Sequence, residues 1–167
     1  YLCMIPGDTL ADIYNMYGSR LLEGNVRTFL STKGKVNAAI QNTIRNQPEM
    51  FFAFNNGIAA TAENVELEED AGGVRIRSAV NLQIVNGGQT TASLAFAKRG
   101  GAARKECLDL SKVMVQMKLS VLPPEKAGEL TPEIARYANS QNKVSDADFF
   151  SNHPFHIRLQ EFSRRLF

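Results

Sequence analysis

The stretch Asn81-Leu-Gln-Ile-Val-Asn-Gly-Gly-Gln-Thr-Thr-Ala-Ser-Leu-Ala-Phe-Ala97 determines how the rest of the chain is interpreted. Its first half, Leu82 to Val85, is short and favours a β-strand. Asn86-Gly87-Gly88 follows, and these residue types tolerate a positive φ angle. Thr90 or Thr91 is then predicted to cap a helix. The apolar residues of this helix recur at helical spacing: Ala92, Ala95 and Phe96.

A strand, a glycine turn and a helix in succession can form a binding site for an anion. The first N–H groups of the helix have no partner within it, and the positive end of its dipole lies beside them. The alternative is a tight turn whose glycines serve packing alone, since a short glycine pattern is weak evidence by itself. Both interpretations predict that Gln89, Thr90 and Thr91 open a helix directly after a strand.

The composition is that of one ordinary globular domain. The chain has 167 residues, of which 44% are hydrophobic and 22% are charged. Nineteen basic and 17 acidic residues give a net charge of +2, too small to indicate nucleic acid by bulk charge. Cys3 and Cys107 form no metal-binding spacing and no disulfide framework, which favours a cytoplasmic location. No membrane-spanning run or secretory signal is seen, so no membrane partner is expected. The chain starts at Tyr1 and stops inside an amphipathic pattern at Phe167. We therefore expect one domain over residues 1–167, within a longer protein that supplies further domains.

The N-terminal third is predicted to be helical. Thr9 is the predicted cap of a first helix that ends at Gly18. Arg27 lies in a second apolar stripe, between Val26 and Phe29. It is either a surface arginine or one aimed at a phosphate or carboxylate, which its planar fork suits. A third helix is predicted from apolar residues on one face, interrupted by Pro48: Val36, Ala39, Ile40, Thr43 and Ile44.

The centre is predicted to be rich in β-structure. The aromatic run Met50–Phe54 is expected to be buried, and Asn55-Asn56-Gly57 after it is a strong turn signal. Residues 58–68 are compatible with a strand. The acidic and glycine residues at 69–73 predict a hairpin turn, and the alternation in 74–80 predicts its second strand.

The last third is predicted to alternate between strand and helix. The run Lys112–Leu122 favours a strand closed by Pro123-Pro124. Thr131-Pro132-Glu133 predicts the start of a helix, because it combines a capping residue, a first-turn proline and an acid near the positive dipole end. This helix is expected to carry Ile134, Tyr137 and Ala138 inward. A final amphipathic helix is predicted from four apolar residues: Phe155, Leu159, Phe162 and Leu166.

Uncharged amides stand at three predicted element ends. Amides offer donors and acceptors together, so such a cluster can bind a base edge, a sugar or a phosphate without charge. Amides also tie loops to one another, and the sequence leaves both roles open. With the arginine and the glycines, the candidate ligand-binding residues are Arg27, Asn55, Asn56, Gly57, Asn86, Gly87, Gly88, Gln89, Thr90, Asn139, Gln141 and Asn142.

Signals for catalysis are poor. No lysine follows the glycines as in a Walker motif, which excludes a P-loop NTPase. His153 and His156 lack further ligands at a suitable spacing, so no metal site is predicted. The acidic cluster at residues 66–70 alternates across strand faces and is best explained as a solvated hairpin tip. Catalytic residues and cofactors remain unassigned.

Five blocks of the chain, taken together, are similar to the AIPR family, which is named for abortive infection and phage resistance. The similarity extends from about Leu21 to Phe162, and two of the blocks identify it best: Asn55-Asn56-Gly57-Ile58 and Ile84-Val85-Asn86-Gly87-Gly88-Gln89-Thr90. The supporting blocks are Leu22-Glu23-x-Asn25-Val26-Arg27-x-Phe29-Leu30, Val36-Asn37-x-x-Ile40-x-x-Thr43-Ile44 and Asn139-Ser140-Gln141-Asn142. The resemblance implies a role in defence against phage.

We therefore expect an α+β fold with N-terminal helices, a mixed central sheet with a hairpin, and interleaved helices toward the C-terminus. The favoured function is an antiphage defence domain that binds a nucleotide or nucleic acid. One alternative is a metal-dependent nuclease or nucleotide hydrolase. Another is an interaction module that senses a phage component.

Overall fold

The computed structural model describes residues 1–22, 35–100 and 107–139. In the second range it describes the side chains from residue 38 onward. These ranges form an α+β fold, as the sequence predicted. The strands are β1 (Leu2–Pro6), β2 (Ile58–Ala62), β3 (Asn64–Asp70), β4 (Gly73–Val80), β5 (Gln83–Asn86) and β6 (Met114–Val121). The α-helices are α1 (Gly7–Tyr17), α2 (Lys35–Asn46), α3 (Phe51–Phe54), α4 (Gly88–Lys98) and α5 (Pro124–Asn139), with short 3₁₀ turns at Gly18–Leu22 and Pro48–Met50.

Four strands form a mixed sheet in the order β1-β6-β2-β5. β6 lies inside it, antiparallel to β1 and parallel to β2, while β2 is antiparallel to β5. Along β6 the side chains alternate: Val115, Met117 and Leu119 are buried, whereas Gln116 and Lys118 are exposed. One face of the sheet therefore supports the core, and its opposite face reaches solvent at β6.

The core is formed where α1 and α4 pack against this sheet and α2 packs against α4. α1 also packs against α4. Each of the three helices contributes large side chains to one continuous apolar cluster, which includes Leu10, Ile40, Ile44 and Leu94. The predicted third helix is confirmed as α2, and its register is correct at Ile40 and Ile44, although Ala39 is exposed.

Four expectations about element boundaries are wrong. The N-terminal third is not only helical, since Leu2–Pro6 forms β1 against β6. α1 begins at Gly7 after Pro6, so Thr9 lies inside the helix. Residues 58–68 form two strands that break at Glu63, whose N–H donates to the carbonyl of Val80 at 2.9 Å. At this break the chain leaves the four-stranded sheet and enters the β3–β4 hairpin. The hairpin confirms the turn predicted at residues 69–73.

The fourth wrong expectation concerns α5, which begins at Pro124 and contains Pro132 in its interior. Pro124 takes the favourable first-turn position, whereas Pro132 has no N–H to donate to the carbonyl of Gly128 four residues before it. Tyr137 is not inward, since 65% of it is exposed, whereas Ala135 is fully buried. The predicted final helix over 155–166 lies outside the described residues.

An ion-pair cluster connects the C-terminal end of α4 to α1. The Nζ atom of Lys98 lies 2.7 Å from Asp12 Oδ1 and 3.2 Å from Asp8 Oδ1. The hydrogen bond to Asp12, followed by that to Asp8, raises the pKa of Lys98.

We expect this cluster to contribute stability that is lost at alkaline pH. Because the folded-state pKa is raised, the contribution is complete below the ordinary lysine pKa of 10.5 and disappears as the pH rises through the folded-state value. Lys98→Met should therefore be less stable than wild type at pH 8, and the difference should shrink above pH 10.5. Urea denaturation across this range measures it. A difference that is constant with pH would show that the charge of Lys98 does not stabilise the fold.

Candidate functional site

The stretch around Asn86 has the predicted strand–turn–helix geometry. β5 ends at Asn86, Gly87 has φ +87°, and α4 begins at Gly88. The predicted cap residue is wrong, because Gly87 occupies the cap position and Thr90 and Thr91 lie inside the helix. Threonine is a poor residue for this left-handed conformation, whereas glycine adopts it at little cost. The hydroxyl and the N–H of Thr91 both donate to the Gly87 carbonyl, at 3.1 and 3.0 Å.

The second turn, Asn55-Asn56-Gly57, lies directly beside the first. It joins α3 to β2, and the antiparallel pairing of β2 with β5 places the start of one strand next to the end of the other, with Ala59 opposite Asn86. Gly57 also has a positive φ, of +72°. A Cβ atom added to Gly87 would stand 2.8 Å from the Gly57 carbonyl oxygen and 3.0 Å from Ile58 Cα. The two glycine turns are therefore in direct contact.

The end of α5 is attached to the same place by two amides. Asn86 Nδ2 donates to the carbonyl of Ala138, and Asn139 Nδ2 donates to the carbonyls of Val85 at 2.9 Å and Ala135 at 2.7 Å. The Asn55 side chain likewise donates to the carbonyl of Phe51 at 3.1 Å. Three of the predicted site residues thus perform the loop-tying role that the sequence left open.

The other two amides at this place have exposed side chains. Asn56 and Gln89 are exposed, and neither makes a side-chain hydrogen bond to the described part of the protein. The N–H groups of Gly88, Gln89 and Thr90 precede the first bond within α4, which Thr91 makes to Gly87. The exposed side chains of Asn56 and Gln89 therefore flank the contact between the two turns. We call the following residues the amide cluster: Asn55, Asn56, Asn86, Gln89 and Asn139.

The structure brings nine of the twelve predicted site residues to this region, and three lie outside the described ranges. The nine are Asn55, Asn56, Gly57, Asn86, Gly87, Gly88, Gln89, Thr90 and Asn139. The remaining three, Arg27, Gln141 and Asn142, cannot be placed beside them. That the nine share one concavity and bind a ligand there stays a prediction.

The sequence interpretation missed Gln116. Its neighbour Met117 pairs with Ile58, which places Gln116 beside Gly57. Its Nε2 atom donates to the carbonyl of Phe52 at 3.0 Å. Gln116 stands between the apolar residues Val115 and Met117, and this pattern within a strand is a signal that it faces away from the core. The parallel pairing of β6 with β2 brings it to the turn, and no local signal predicted that pairing.

Other features of the described residues lie elsewhere. A pocket of about 360 Å³ between α2 and the segment before β6 is lined by none of the amide-cluster residues; its lining is Ile44, Arg45, Pro48, Cys107, Leu108, Asp109 and Lys112. Within residues 1–22, 35–100 and 107–139, no group of three His, Cys, Asp or Glu residues is placed to hold a metal ion. No helix in those ranges is both long and apolar enough to cross a membrane.

Comparison with known proteins gives one match. The family model described as AIPR protein matches residues 22–167, which is most of the chain and includes both glycine turns. No curated protein and no solved structure matches the chain.

Proposed function

The chain belongs to the AIPR family, and from this premise we propose that it is a phage-defence domain that binds a nucleotide or nucleic acid at the amide cluster. The observation that carries the proposal is the contact between the two glycine turns. It gathers exposed amides and the first N–H groups of α4 from segments about 30 residues apart. The proposal includes two expectations from the sequence: the domain acts in the cytoplasm, and it is part of a longer protein.

The amides of the cluster have two different roles, and this difference supports the binding of a ligand. Asn86 and Asn139 fix the turns through backbone carbonyls, so the site is held in place before any ligand arrives. Asn56 and Gln89 remain exposed beside it. Preorganised polar groups on rigid elements bind with less ordering cost than groups on mobile loops. Arg27 enters the proposal on sequence grounds alone, as the charge that would pair with a phosphate.

We expect that Asn56→Ala combined with Gln89→Ala removes binding and leaves the fold intact. Both side chains are exposed, so the free energy of unfolding should change by less than about 1 kcal/mol. The measurement is thermal unfolding with a panel of ribonucleoside triphosphates and with single- and double-stranded oligonucleotides. For the wild type, a probe at 100 times its Kd should add about 2.7 kcal/mol of stability. The double variant should show no such gain.

Asn15→Ala is the matched control, because Asn15 is another exposed amide and lies on α1. It should retain the full shift and full phage protection. If no probe shifts the wild type, the binding proposal is wrong and a phage protein becomes the partner to test. If a probe is cleaved in a metal-dependent way, the domain is an enzyme rather than a binding module.

A further inference from the structure

The three phenylalanines of the aromatic run before Asn55 differ in burial. Phe51 is fully buried, whereas 38% of Phe52 and 58% of Phe54 is exposed. The expectation that the whole run is buried is therefore wrong. Phe51 to Phe54 form α3, which is a single helical turn. A single turn has only one side against the core, so it cannot bury all three rings. We call Phe52 and Phe54 the presented phenylalanines.

The turn that carries these rings is fixed from two sides. The carbonyl of Phe51 accepts hydrogen bonds from both the backbone N–H and the side-chain amide of Asn55, each at 3.1 Å. The carbonyl of Phe52 accepts one from Gln116 on β6. Phe51 itself is locked into the core. The presented phenylalanines therefore belong to a rigid element, in the way that aromatic anchors of binding sites do.

Phe54 is close to the amide cluster. Gly57 is three positions after Phe54, so their Cα atoms are at most about 11 Å apart. Gly57 contacts Gly87, the residue that precedes the N-terminus of α4. An exposed ring and the exposed amide of Asn56 therefore flank the turn that contacts the residue preceding α4.

The combination of ring and amides points to one chemical group. An aromatic face stacks on any nucleobase, and amides hydrogen-bond to base edges. The amide cluster has no charged member, so it suits a flat polar ring better than it suits a bare polyanion. We propose that Phe54 stacks on an unpaired nucleobase whose polar edge is bound by the amide cluster. This inference rests on the proposed function and specifies its ligand. The base can belong to a free nucleotide or to a single strand, and both are tested below.

Phe54→Trp provides a direct reporter, because the sequence contains no tryptophan. Its indole fluorescence is titrated with nucleoside triphosphates, with single-stranded oligonucleotides, with the matching duplex and with inorganic tripolyphosphate. Stacking predicts quenching by a ligand that offers an unpaired base, and no quenching by the duplex or by tripolyphosphate. Quenching by triphosphates identifies a free nucleotide, and quenching by oligonucleotides alone identifies a single strand.

Phe54→Leu tests the energetics, because leucine keeps an apolar side chain and removes the π-face. Its affinity for the probe that binds the wild type should fall about tenfold. Tyr17→Leu is the matched control, since Tyr17 is 54% exposed and lies at the end of α1. It should bind like the wild type. Thermal unfolding of both variants checks that the fold is unchanged.

The outcomes separate this inference from the proposed function. If the wild type binds a nucleotide or oligonucleotide and Phe54→Leu binds it equally well, stacking is wrong while the proposed function stands. Equal binding of tripolyphosphate by the wild type would also overturn the stacking inference, because the base would then contribute nothing. If the wild type binds none of the probes, both are wrong.

Discussion

Gly57→Ala should destabilise the domain by about 3 kcal/mol or more. Two costs combine at this position. Alanine at φ +72° is strained by about 1–2 kcal/mol, and its Cβ would overlap the backbone carbonyl oxygen and the Cβ of Gln116, which overpacks the contact between the turn and β6. In a domain of this size the loss corresponds to roughly 10 °C in melting temperature. Thermal and urea denaturation measure it.

Gly18→Ala separates the two costs. Gly18 also has a positive φ, of +58°, but a Cβ atom there would meet no atom within 4 Å. We expect about 1–2 kcal/mol from the backbone conformation alone, because Gly18 has ψ −134° and lies outside the αL region. Equal losses at Gly57 and Gly18 would mean that β6 yields to the added methyl group, and that close approach is not what requires glycine beside the amide cluster.

Phe51→Ala should cost about 3–5 kcal/mol, the usual range for deleting a fully buried phenylalanine ring. The ring anchors α3, so its loss should also release the presented phenylalanines and the Asn55 turn. Ligand binding should therefore fall together with stability. Urea denaturation gives the first quantity, and titration of the probe identified above gives the second.

Phe54→Ala, three positions further along the chain, is the control for stability. With 58% of its surface exposed, Phe54 should contribute no more than about 1 kcal/mol to folding. A similar loss of stability in both variants would show that α3 is held by all of its rings, and the distinction between anchor and presented rings would fail.

The local chemistry of the sequence predicted much of the fold. The alternation in 74–80 identified β4, the β-type run 112–122 identified β6, and the hairpin between β3 and β4 followed from its acidic and glycine residues. The glycines after Val85 predicted the passage from β5 to α4. These elements have signals within a few residues of themselves, which is where propensity and periodicity act.

The predictions were wrong where contacts with residues distant in the sequence determine the structure. β1 is five residues long, and its pairing with β6 rather than its own pattern makes it a strand. Pro132 is a poor residue for a helix interior and was expected at the helix start, yet α5 begins earlier, at Pro124. In the aromatic run, hydrophobicity predicted burial for all the rings, although a single helical turn presents only Phe51 to the core.

The candidate site shows the same limit. The residue types around Asn56 and Gln89 indicated polar recognition without charge, and the glycines indicated tight turns. The contact between the two turns depends on the pairing of β2 with β5, and Gln116 reaches them only through the parallel pairing of β2 with β6. Neither pairing is encoded in a local pattern.

The position of β6 inside the sheet has a consequence for the order of folding. β1 and β2 do not pair with each other; both pair with β6, and the Tyr1 N–H group donates to a carbonyl 118 residues later, that of Leu119. During synthesis, β1 and β2 therefore cannot pair with β6 until the chain has been made through Val121. The β3–β4 hairpin can form earlier, because its contacts are local in the sequence. Such non-local pairing is slow because loop closure costs entropy before the contacts form. The amide cluster depends on this late step, since β6 holds the Gly57 turn through Gln116. The site is completed only when the middle strand enters the sheet.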